Sequence, residues 1–180
     1  MGLVQVDHFK VTSDVTSVII GGGSGGSSTE NFAINTDDVY LLTYHNLFMS
    51  VDGRVANIRY TKSSDNSPDT SSNYDQAWQS PYTNTGFYDG SNTNSPHHSN
   101  NSMGTTLQES QVGMIYLYNF NNSSEYSFMT KEALNITETP EYTGMFKGGV
   151  LTVAQACNGI QFVANGNAIA SGTFTLYRMT

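Results

Sequence analysis

The chain has 180 residues, of which only 12% are charged, and a formal net charge of −8. That length fits one domain with a sizeable core. Seven scattered cations on an acidic background exclude a nucleic-acid groove, which needs clustered Lys and Arg, and no cationic-apolar leader or long apolar run points to a signal peptide or membrane insertion.

Leu3, Val4, Val6, Phe9 and Val11 open a strand-rich block, and Val15, Val18, Ile19 and Ile20 continue it after the turn signal Thr12-Ser13-Asp14. A glycine-serine connection runs from Gly21 to Ser28. Its Gly22-Gly23-Ser24-Gly25-Gly26 formally matches a nucleophile elbow. That motif needs a helix directly after the serine, and only small and polar residues follow here. Asp38 to Ser50 sets Tyr40, Leu42 and Tyr44 on one face and Val39, Leu41 and Thr43 on the other, which predicts a central strand. Asp52-Gly53 predicts a tight hairpin into the strand Arg54–Thr61.

Residues 62–111 are rich in Ser, Asn, Asp, Thr and Gly, and read as an extended loop region of ordered loops with one or two short strands. Within it, Trp78, Tyr82, Phe87 and Tyr88 alternate with Asn84 and Asp89. Flat aromatic faces stack on sugar C–H surfaces while Asn and Asp bond hydroxyls, so these six residues form the candidate ligand site. The competing reading is that the aromatics pin the loop to the sandwich or make a subunit interface. Asp65, Asp69 and Asp75 offer oxygen donors without the EF-hand spacing. They read as turn residues capping their own backbone, with calcium as the alternative. His97 and His98 read as an exposed loop tip, the alternative being a metal shared on a three-fold axis. No cofactor is expected otherwise.

From Val112 the strand pattern resumes, with Met114, Tyr116, Tyr118 and Phe120 on one face and Gly113, Ile115 and Leu117 on the other. Asn121-Asn122-Ser123-Ser124 is a turn, Glu125 to Lys131 returns as a strand, and Lys131 to Glu138 is the one helical candidate. Cys157 lies among Val153, Ala154 and Ile160, which reads as a buried inert thiol. The carboxylates sit at strand ends and turns, as in any β protein, so a carbohydrate-active enzyme is a remote alternative. The fold class is all-β: a single antiparallel β-sandwich of jelly-roll type spanning residues 1–180, with the 62–111 region inside it.

The chain closes on two strands, Ile160–Ala164 and Thr173–Met179, with Phe174, Leu176 and Arg178 sharing a face of the second. The wording from Asn158 to Met179 resembles the closing segment of β-sandwich domains in bacteriophage virion and tail-fibre proteins, including those of marine phages. Arg178 stands where that pattern has glycine. Asp38–Leu47, Arg54–Thr61, Asn73–Trp78 and Gly113–Phe120 are similar to its earlier segments. The resemblance implies a non-enzymatic virion protein, assembled in the host cytoplasm as a tail-fibre or appendage knob, to which the aromatic cluster adds a host-surface glycan as the candidate ligand. A capsid or tail decoration protein is the alternative. Its implied partners are other virion proteins and further copies of itself in a homotrimer, since strands apolar on both faces need a subunit to cover the excess.

Overall fold

The computed structural model describes residues 2–22, 39–98, 100–137 and 141–180. The Gly22–Gly26 serine pattern therefore lies almost wholly outside the described residues. Eleven strands are present among those described: β1 (Leu3–Lys10), β2 (Ser17–Gly21), β3 (Tyr40–Met49), β4 (Ala56–Lys62), β5 (Tyr74–Tyr82), β6 (Gly86–Ser95), β7 (Gln111–Tyr118), β8 (Ser127–Ile136), β9 (Tyr142–Leu151), β10 (Cys157–Ala164) and β11 (Ile169–Met179). Eight form one sheet in the order β1-β11-β3-β7-β8-β9-β5-β6, and three form the other in the order β2-β10-β4. All named pairings are antiparallel. The all-β antiparallel expectation holds. The strands divide eight and three, whereas a jelly roll has its eight strands in two sheets.

One apolar core joins the sheets. Val18, Ile20, Ile58, Tyr60, Ile160 and Phe162 project from the small sheet onto Tyr40, Leu42, Tyr44, Ile115, Phe174 and Leu176 of the large one. Aromatic rings fix the spacing: Phe162 lies 4.9 Å from Phe174 and 5.3 Å from Tyr44, centroid to centroid. Tyr60 meets Phe120 edge-on at 5.4 Å. Each such ring removed from water contributes roughly 1.5–3 kcal/mol before entropy is counted. As expected, β3 is central, between β11 and β7, and Tyr40, Leu42 and Tyr44 form its core face. Asn46 adopts φ 54° where the register of β3 shifts against β7, a bulge that Asn tolerates well.

Three expectations are corrected. The 62–111 region is not an extended loop: its centre is the β5–β6 hairpin, two strands of 9 and 10 residues that complete the large sheet. Polar composition hid it because both faces of the edge strand β6 meet water, so no apolar alternation was required. The helical candidate at Lys131 lies in β8, where alternate residues are buried and both neighbours bond its backbone. Tertiary pairing overrode the helix propensity of Lys-Glu-Ala-Leu. Asp52-Gly53 does turn the chain, with Gly53 at φ 68°, but it does not close a hairpin. It carries the chain from β3 in one sheet to β4 in the other, because Met49 and Ile58 must both face the same core.

The three-stranded sheet covers only part of the large one. Beside β4 runs the segment around His98 and Met103, bridged to Ile58 and Arg54 respectively. This segment covers the inner face of β8 through the Asn100 side chain and the Ser102 backbone carbonyl.

Candidate functional site

The outer face of the large sheet is its most distinctive surface. In β7, β8 and β9 the inward residues Ile115, Leu117, Met129 and Met145 are buried, so the alternate residues must face away from the core. Register places Val112 opposite Leu134, Tyr118 opposite Phe128, and Glu132 between Met114 and Phe146. Phe146 is 51% exposed, Val112 50%, Phe128 45% and Leu134 44%. Apolar residues adjacent across three strands make a contiguous patch, which isolated exposed side chains would not.

Two hollows mark this face. One, of about 700 Å³, runs from Tyr118 and Phe128 past Gly148 and Val150 to Asp75, Asn92 and Thr93. Gly148 opens its floor, for a Cβ there would meet nothing within 4 Å. The other, of about 450 Å³, is lined by Thr43, His45, Val112, Met114, Leu134 and Phe146 among others. The first offers aromatic walls beside hydroxyl, amide and carboxylate groups, which suits a polar ligand with an apolar face. The second is walled by Val112, Met114, Leu134 and Phe146 and suits a protein surface.

The structure does not gather the six candidate ligand residues on one face. Cross-strand register puts Trp78 opposite Gly90, Ser80 opposite Tyr88 and Tyr82 opposite Gly86 on the inner side of the hairpin. Phe87 and Asp89 alternate with them onto the outer side, and Asn84 sits in the turn, its backbone N–H donating to Glu141 Oε1 at 3.2 Å. Trp78 is half-buried, and its ring lies 5.0 Å beneath the Lys147 ammonium. Gly90 lets strand β6 approach that ring; a Cβ there would come within 2.6 Å of it. Trp78 thus packs over a buried amine. Phe87 and Tyr88 are exposed at the sheet edge.

Sequence reasoning did not find the polar layer inside the sheet, although lysine at inward positions of alternating strands was its signal. Lys131 and Lys147 pair across β8 and β9, and both are buried. Lys147 Nζ donates to Gln76 Oε1 at 2.9 Å. Burial pushes its pKa down to about 7. Lys131 Nζ meets the Asn100 carboxamide and lies 5.9 Å from the Tyr44 ring centroid. Burial, and then the Lys147 charge, hold it well below the ordinary lysine range. Tyr44 Oη donates to Gln111 Oε1 at 2.9 Å, and Asn135 Nδ2 donates to the Ser102 carbonyl at 2.8 Å. His98 is fully buried between Tyr60 and Tyr74, and neither ring nitrogen has a hydrogen-bond partner. Burial, followed by the nearby lysine and histidine charges, lowers it to about 3, so it is a neutral imidazole. The expectation that His97 and His98 form an exposed tip is corrected: His97 is half-buried and His98 is core.

Asp65, Asp69 and Asp75, with calcium as the alternative to turn capping, are used separately. Asp65 pairs with Lys62 at 2.9 Å and accepts from Ser67, which hold its carboxyl down to about 2. Asp69 accepts from the Ser71 N–H and the Gln155 side chain, and Asp75 from the Asn94 N–H. Among the described residues, no three His, Cys, Asp or Glu side chains converge on a metal position. Cys157 is buried, and burial raises its thiol to about 12. Among the described residues no helix is long and apolar enough to cross a membrane. Compared with protein-family models, curated proteins and solved structures, the chain gave no significant match.

Proposed function

We propose that this chain is a non-enzymatic subunit of a bacteriophage virion, a tail-fibre or appendage component that assembles as a homotrimer through the outer face of its large sheet. The observation that carries the assembly is the apolar patch around the second hollow, where Val112, Leu134 and Phe146 of β7, β8 and β9 are about half exposed. A single chain leaves this surface in water, and a second copy would bury it. The virion assignment is supported by the wording of the closing segment, whose two strands are both packed elements of the sandwich. Sedimentation velocity at micromolar concentration is expected to give a trimer. Leu134→Asp and Phe146→Asp, both exposed in the single chain, are each expected to give a folded monomer. A wild-type monomer would refute the assembly.

The glycan reading moves to the hollow beside Tyr118 and Phe128, where aromatic and polar groups do face one opening. Phe128→Ala is expected to weaken adhesion to host cells or lipopolysaccharide at least tenfold, and Trp78→Ala to leave it unchanged. The reverse pattern would return the site to the β5–β6 hairpin.

A further inference from the structure

We propose that Lys131 and Asn100 are joined by an intramolecular amide bond, formed within the folded chain between the lysine Nζ and the asparagine Cγ with release of ammonia. Both residues are buried, and the Lys131 amine donates to Asn100 Oδ1, which brings it beside the Cγ that oxygen is bonded to. The rest of the carboxamide is held for attack. Its Oδ1 accepts from the Asn101 backbone N–H at 3.1 Å, which stabilises negative charge on that oxygen as the carbon becomes tetrahedral. Its Nδ2 donates to the Ala56 carbonyl at 3.1 Å, which fixes the leaving nitrogen and the plane of the group.

Charge supplies the second argument. Among the described residues no carboxylate pairs with Lys131, although an ammonium buried this deeply is costly without one. Burial favours the neutral amine, the nucleophilic form, and Lys147 across the strand pair adds to the effect. The reaction balances without an oxidant or other reactant. The amine lone pair forms the new C–N bond, the Cγ–Nδ2 bond breaks, and the proton lost from Nζ leaves with Nδ2 as ammonia. Contact between the two groups supplies the high effective concentration that such a step requires. The product is a neutral amide that removes the buried cation and ties the covering segment to β8.

Intact-mass spectrometry of the purified full chain tests this directly. The expected mass is that of the sequence less one ammonia, with Met1 retention allowed for. Cleavage after glutamate should release peptides 31–109 and 126–132 as one branched species. Asn100→Leu, which has no acyl group to attack, and Lys131→Met should both restore the full mass and give two separate peptides. Should either variant fail to fold, the branched peptide in the wild-type digest remains decisive. A wild-type chain of full mass overturns the proposal. So does a loss of ammonia without branching, the signature of a succinimide at an asparagine.

Discussion

Lys147 is the residue whose surroundings set the clearest pH dependence. In the unfolded chain it holds its proton to near 10.5, as an ordinary lysine does, whereas in the fold it releases it at about 7. Below about 7 both states are protonated and the cost of burying the cation is fully present. Between about 7 and 10 the unfolded state binds more protons, so stability rises with pH. Above that, the buried hydroxyls of Tyr44, Tyr60 and Tyr74, whose pKa values burial raises, reverse the trend. Thermal melts should therefore show Tm climbing from neutral to mildly alkaline pH, and Lys147→Met should flatten that climb. A Tm that falls across this window would show that Lys147 is hydrated. Trp78→Ala should return the lysine toward its ordinary value by admitting water, and shift the climb to higher pH.

At the scale of elements, strands with one apolar face were legible and strands with two unlike faces were not. Tyr40, Leu42 and Tyr44 announced β3, and Phe174 and Leu176 announced β11, because burial on one face demands period two. In β8 the buried face carries Ser127, Lys131 and Asn135 while Phe128 and Leu134 face out, so hydrophobicity alone gave the wrong sense. The β5–β6 hairpin failed for a related reason, since an edge strand of Asn, Ser, Thr and Gly has no core face to betray it. The candidate site suffered most. Its outer-face residues lie on β7, β8 and β9, and only pairing register makes them neighbours. Where the pattern was read correctly, the packing should be demanding. Phe162→Ala, which empties the contact with Tyr44 and Phe174, should cost roughly 3–5 kcal/mol in denaturant titration, and a loss below 1 kcal/mol would mean that the sheets repack.

The molecule as a whole is an unequal sandwich: a three-stranded sheet covers one face of an eight-stranded one, whose other face is open and apolar at its centre. That asymmetry is the physical basis of the proposed assembly. The test that reaches the claim most directly is the reactivity of a thiol placed in the middle of the open face. Glu132→Cys suits it, because register sets that exposed position between Met114 and Phe146, and the buried Cys157 stays silent. If the face is the contact between copies, maleimide should label this thiol at least tenfold more slowly in the assembled protein than in the same variant carrying Leu134→Asp. Equal labelling rates in the two backgrounds would contradict the account, whatever the state of assembly.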